Sequence, residues 1–454
     1  MKKRLFYFSF LAVFAFANPS KAQNCADFYW GSQSLYPGPQ NPVTPTPEEY
    51  TPIFINYVGR HGASHLVKDV STTFVFHILQ KADSAHALKV DGNKLRKMLA
   101  LIETLEKPKL DNITLSGIDD QKAIGKRMLA EYPSVFKPGS CIKVSAVKEE
   151  RMTQSAAALL AGLNRTLDAP GCDKTDYNDD DNLQPFKSGP GLKEFAEKGD
   201  WKDNVDNIRD TKRPDNFNIR FLNRFFEQSF FDSIDEDTQN KFIADMYNLS
   251  LVTNAIHREI TLAGYTWAQV DIRSFFTCDE LALFDNLNSA ADFYKSGPGN
   301  DKQGIQVRSA VPLLVNMINT TDAYSIGQNV AADVRITTSE SIASLAALMN
   351  FKGVSKESND IFKFEKVWKA EEVIPLSANI QWIFYKGTTP DTRRDYLVKF
   401  LLNENEIAID GLKTQTPPYY KWEDVKAFYL KKLNDEWDVE KLSDNMHTYL
   451  LNLK

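Results

Sequence analysis

Strand-like runs occupy the two ends of this sequence and are missing from its middle. Residues 53–58 and 142–147 lie early, and residues 333–336, 380–385 and 396–401 lie late. Each is short and rich in β-branched or aromatic side chains, and Thr388-Thr389-Pro390-Asp391 makes a hairpin turn between the last two. Between the two groups, residues 169–214 are polar and dense in Gly, Pro, Asn and Asp, and residues 216–271 repeat apolar side chains at helical spacing. Helical spacing also marks 72–105, 117–132, 155–163 and 340–350. A strand must find a neighbour for its backbone N–H and C=O groups, so the two ends of the chain have to meet in one sheet. The expectation is an α/β fold: a central mixed sheet flanked by helices, with an inserted, mainly helical cap domain. The parts read as a signal peptide over 1–22, a first α/β part over 23–165, the cap over 166–300 and a second α/β part over 301–454.

The start of the chain sets its compartment. Lys2, Lys3 and Arg4 precede an apolar stretch from Leu5 to Ala17, and Ser20-Lys21-Ala22 supplies a small-x-small cleavage site. Asn18 and Pro19 end that stretch too soon for a stable membrane span. The protein is therefore expected to be exported, to the periplasm or to the bacterial cell surface or medium, with its mature chain beginning near Gln23. In an oxidising compartment Cys25, Cys141, Cys172 and Cys278 allow three full pairings. Cys141 with Cys172 is preferred, being nearest in sequence and bracketing a helix-like segment.

A formal net charge of −6 over 454 residues argues against nucleic acid as a partner. An anionic ligand would have to be met by a local basic pocket. No metal and no cofactor is called for. The acidic run from Asp176 to Asp181 lacks the sixth-position glycine of a calcium loop, and Lys187 stands where its twelfth-position glutamate would be.

Where the first strand breaks into a glycine turn stands Arg60-His61-Gly62. A neutral imidazole is a nucleophile, and a guanidinium matches the geometry of phosphate oxygens, so the pair suits the taking of a phosphoryl group. Further along come Leu115-Ser116-Gly117, Gly125, Arg127 and Tyr132-Pro133, then Arg151-Met152-Thr153-Gln154-Ser155-Ala156 and the run from Arg335 to Glu340. On these residues the chain resembles the histidine acid phosphatase superfamily. Ala291-Asp292-Phe293-Tyr294-Lys295, Ala378-Asn379-Ile380-Gln381, Leu402-Asn403-Glu404 and Pro418-Tyr419-Tyr420 are similar to segments of its multiple inositol polyphosphate phosphatase branch.

The resemblance implies a phosphomonoesterase acting on a small phosphate ester, an inositol polyphosphate such as phytate. His61 would be the nucleophile, Arg60 and Arg151 the clamp on the phosphate oxygens, and Glu340 the proton donor to the leaving alcohol. Activity would lean to mildly acidic pH. Two positions depart from the pattern: Ser64 stands at the second arginine of the first motif, and Thr338 at the histidine before the acid. Each loss removes a charge-assisted hydrogen bond of roughly 1.5–3 kcal/mol. Both together amount to about 3–6 kcal/mol, on the order of a hundred- to ten-thousand-fold in rate. The Thr338 hydroxyl, the neighbouring His65 and Lys148 are the available compensations in the phosphate-binding set. Two alternatives stay open beside the first reading: a relative that only binds polyphosphorylated ligands or a protein partner, and a general acid phosphatase.

Overall fold

The computed structural model describes Cys25 and residues 28–325 and 329–454. The expected signal peptide lies outside the described residues. The strands are β1 (Tyr50–Arg60), β2 (Cys141–Ala146), β3 (Val330–Thr337), β4 (Asn379–Gly387), β5 (Tyr396–Leu402), β6 (Asn405–Glu406) and β7 (Tyr420–Lys421). They form a seven-stranded sheet in the order β2-β3-β1-β4-β5-β6, with β7 pairing β5. The two ends of the chain do meet: β3, from the late group, lies between β1 and β2 and parallel to both. β4 runs antiparallel on the other side of β1 and continues into the expected hairpin with β5.

Both faces of the sheet are covered, which is why β3 is buried along its whole length. Helices Leu115–Glu131 and Glu150–Gly162 place Ile124, Met128, Met152 and Leu159 against one face. Helices Val311–Ser325, Ser339–Leu348 and Trp422–Trp437 place Leu314, Ile342 and Tyr429 against the other. A separate apolar cluster, rich in phenylalanine, is built from helices and the turns between them and takes nothing from the sheet. It draws on Val75, Leu79, Leu95 and Ile102 as well as on Phe217, Phe225, Phe242 and Phe276. Residues 72–105 form two helices, Phe74–Ser84 and Val90–Glu106, broken where His86 takes φ 53°.

The polar stretch is more ordered than its composition suggests. It contains the short helices Pro190–Lys198 and Trp201–Lys212. A single buried side chain anchors each: Leu192 against Leu450 and Leu453, and Ile208 in the main core. Cys141 is bonded to Cys172, and Cys25 to Cys278. Among the described residues no helix is long and apolar enough to cross a membrane.

Candidate active site

Parallel pairing sets the register of the site. Arg60, the last residue of β1, lies opposite Thr337, the last residue of β3, so His61 and Thr338 leave the sheet side by side. β2 ends level with them, Ala146 opposite Ile336, and its loop leads directly to Arg151 at the start of Glu150–Gly162. Three motifs scattered over the sequence therefore converge at the C-terminal edge of parallel strands, where side chains leave the sheet for open space.

Close backbone contact holds the turn in place. A Cβ on Gly62 would lie 2.9 Å from the Gly117 carbonyl oxygen, and one on Gly117 would lie 2.3 Å from that of Ala63. Only glycine permits this approach. The Ser155 hydroxyl ties the turn to the arginine-bearing helix by accepting from Gly62 N at 3.0 Å and donating to Arg151 O at 2.6 Å. Behind the turn, Arg127 meets Glu404 through two parallel hydrogen bonds of 2.9 and 2.5 Å, and Tyr36 donates to the same carboxylate at 2.9 Å.

The His61 ring has a defined tautomer. Its Nδ1 lies 2.8 Å from the carbonyl oxygen of Gly62, which can only accept, so Nδ1 carries the proton and Nε2 keeps a free lone pair. Burial, and then the positive charges of Arg60 and Arg151, push the His61 pKa down to about 3. Arg60 is 3% exposed. Its Nη1 donates to the carbonyl oxygens of Ser32 at 2.5 Å and Ile374 at 2.6 Å, and its buried Nε has no acceptor among the described residues. The head group is thus oriented by the backbone through Nη1 alone, while the N–H groups of Nε and Nη2 remain unspent among the described residues. Burial lowers its pKa to about 10, which leaves it charged at neutral pH.

Arg151 is ion-paired with Asp111 and Glu149. Glu340 stands in the first turn of Ser339–Leu348. Burial, the largest influence on it, raises its pKa, but its own backbone N–H and the Lys295 ammonium outweigh burial and hold the carboxyl below its usual range. Glu340 is therefore ionised in the free protein at neutral pH. The Thr338 hydroxyl is buried beside the Glu340 carboxyl, whose ionised form it favours, but has no partner at full hydrogen-bond geometry among the described residues, so a donor remains at that position.

His65 takes a different place from the one its sequence neighbourhood suggests. Its Nδ1 is 3.0 Å from Glu106 Oε1 and its Nε2 is 3.8 Å from Glu259 Oε1, so both ring nitrogens face carboxylates. It is a strut of the turn.

Two cavities open at this edge. One, of about 250 Å³, is walled by Glu340, Ser341, Lys295, Phe186, Leu192 and Phe195. The other, of about 450 Å³, is walled by Ser32, Gln33, Ser64, His65, Asp285 and Asp292. Their walls do not include His61. Asp292 and Lys295, from the last turn of Cys278–Lys295, are the charged groups that sequence reasoning did not assign to the site. Burial, and then the negative charge of Glu340, push the Asp292 pKa up to about 6, against the opposing pull of Ser32, Arg60 and Lys295. The run from Ala291 to Lys295 was the available signal, though it carried no role.

Comparison with known proteins gives the same picture. The family model of the histidine phosphatase superfamily (branch 2) matches residues 54–403. Multiple inositol polyphosphate phosphatase 1 of Gallus gallus is 21% identical over 337 residues, 70% of this chain and 69% of that protein. The Bifidobacterium longum multiple inositol polyphosphate phosphatase, solved in complex with inositol hexasulfate, superposes with a TM-score of 0.75 at 19% identity, over 88% of this chain and 97% of that one. The phytase of D. castellii gives a TM-score of 0.62 at 14% identity, over 95% and 91%. The strand-end histidine, its flanking arginines and this match over most of the chain lead to one assignment: the chain belongs to branch 2 of the histidine phosphatase superfamily.

Proposed function

We propose that this protein is an exported phosphomonoesterase that removes phosphate from inositol polyphosphates, phytate among them, through a phosphohistidine on His61. The observation that carries the reading is the state of His61: a neutral ring whose free Nε2 lone pair lies under the influence of two guanidinium groups. Nε2 attacks phosphorus, the N–P bond forms as the ester P–O bond breaks, and Arg60 and Arg151 hold the equatorial oxygens. Binding phosphate requires Arg151 to loosen its pairing with Asp111 and Glu149.

Glu340 returns a proton to the departing alkoxide. A bound phosphate dianion adds negative charge beside it and raises its pKa, so the acid form appears when substrate arrives. Water then attacks the phosphohistidine, Glu340 takes the proton of that water, and the N–P bond breaks to release phosphate. The Thr338 hydroxyl donates where the motif would place a histidine. Export follows from Lys2 to Ala22 and agrees with the two disulfides.

A second reading, a phosphatase for esters carrying fewer phosphates, is favoured by one observation. The larger cavity has no lysine or arginine on its wall. The ratio of kcat/KM for phytate to that for glycerol phosphate separates the two. For the mechanism, the test is rapid acid or base quench with labelled substrate, followed by peptide mapping. Phosphate is expected on His61. No release from phytate or an aryl phosphate between about pH 4 and pH 8 overturns the proposal.

A further inference from the structure

Ser64 leaves a space where the motif would carry a guanidinium, and the structure shows what faces that space. The ionisable side chains on the wall it shares are His65, Tyr247, Asp285 and Asp292. His65 is committed to Glu106 and Glu259, and the Tyr247 hydroxyl donates to the Tyr29 carbonyl at 3.0 Å. Asp285 lies two turns before Asp292 on the same helix and acts on Arg273 and Glu371. Asp292 alone in this set also acts on Arg60. Ser32 joins the two: its carbonyl oxygen receives Arg60 Nη1, and it lines the same cavity wall as Asp292, whose ionised form it favours.

We infer that the Asp292 carboxyl group, when protonated, donates a hydrogen bond to an oxygen of the phosphate held on Arg60, and that when ionised it repels that phosphate. The inference rests on the phosphatase reading of His61 and gives the site its pH range. A carboxylic acid has one O–H to give, which replaces part of what the motif's second arginine would supply. Loss of that proton removes the donor and sets a negative charge against a dianion.

The groups facing Asp292 are Glu340 from the neighbouring helix, Arg60 from β1, Ser32, and Lys295 and Asp285 from its own helix. Burial and Glu340 keep the proton on, whereas Ser32, Arg60 and Lys295 favour its loss, and the balance falls at about 6. An incoming phosphate tips it further towards the acid form, so phosphate binding and proton uptake are linked.

The test is calorimetric titration of the whole protein with inorganic phosphate at about pH 5 and about pH 8, for wild type, Asp292→Asn and Ser64→Arg. Asparagine keeps an N–H donor and cannot ionise. The pH 8 to pH 5 ratio of Kd is expected to be about 30- to 100-fold larger in wild type than in Asp292→Asn, after the titration of phosphate itself, common to both, cancels. Ser64→Arg sets a guanidinium beside the carboxylate and is expected to cut the wild-type ratio about tenfold. Equal ratios in wild type and Asp292→Asn overturn the inference, as does wild type that fails to bind phosphate at either pH. If Asp292→Asn does not fold, an unchanged ratio in Ser64→Arg overturns it. The phosphatase reading fails separately, by normal pH-dependent phosphate binding with no phosphohistidine.

Discussion

His61 and His65 belong to one short turn and live in opposite surroundings. His61 has guanidinium neighbours, a backbone acceptor for one nitrogen and nothing for the other. His65 has a carboxylate at each nitrogen and is 3% exposed. The first ring is denied the proton that would quench it as a nucleophile, and the second is pinned between charges that fix the turn. Around His61 the polar groups are left partly unspent: Arg60 Nε, the Thr338 hydroxyl and an ionised Glu340 that the reaction needs protonated. Around His65, Nδ1 is hydrogen-bonded to Glu106, Nε2 faces Glu259 at 3.8 Å, and Glu106 also accepts from Leu66 N at 2.5 Å. A reactive corner keeps donors free for its ligand, whereas its support ties its groups to one another.

The comparison breaks most visibly at His61 itself. His61→Ala is expected to lower kcat by at least about 10⁴-fold while leaving the circular dichroism spectrum and thermal midpoint near wild type. Residual turnover within tenfold of wild type would remove His61 from the chemistry. Glu340→Gln comes next, with kcat on an alkyl phosphate falling by about 10²- to 10⁴-fold. The loss should shrink to less than about tenfold on an aryl phosphate whose leaving group needs no proton, and equal losses on both esters would take the acid role from Glu340. His65→Ala reverses the pattern. It leaves Glu106 and Glu259 buried without their shared partner and is expected to cost about 3–5 kcal/mol in denaturant unfolding. The kcat of the fraction still folded should change little, so a His65→Ala protein that is stable but inactive would make His65 a participant.

The strands and the motifs on them could be read from sequence because their signals are local. Apolar runs announce β1, β3 and the β4–β5 hairpin, and a glycine after a histidine announces the turn. The pairing of His65 is not legible in sequence, because adjacency points it to Ser64, while the carboxylates it faces are brought in from Glu106 and Glu259 by helix packing. Asp292 is an unremarkable helical residue in sequence, and its place beside Arg60 depends on how Cys278–Lys295 meets the sheet. Trp201–Lys212 escaped notice for another reason: one buried residue, Ile208, is too little for a periodic signal. The Cys25–Cys278 bridge spans 253 residues, and nothing in spacing selects it.

The smallest expected effect tests the electrostatic half of the comparison without any substrate. An unfolded histidine titrates near about 6.5, whereas folded His61 titrates at about 3. Between these values the unfolded chain binds a proton that the folded chain refuses, so the His61 contribution to stability falls as pH drops through about 6.5 and goes on falling towards about 3. At about pH 4.5 the penalty is about 3 kcal/mol relative to pH 8. His61→Asn has no such proton to refuse. The stability of His61→Asn minus that of wild type, from urea unfolding, should therefore rise by about 3 kcal/mol between pH 8 and pH 4.5. A flat difference for His61→Asn would mean that its ring takes up a proton freely in the fold, and the electrostatic account of its neutral state would collapse.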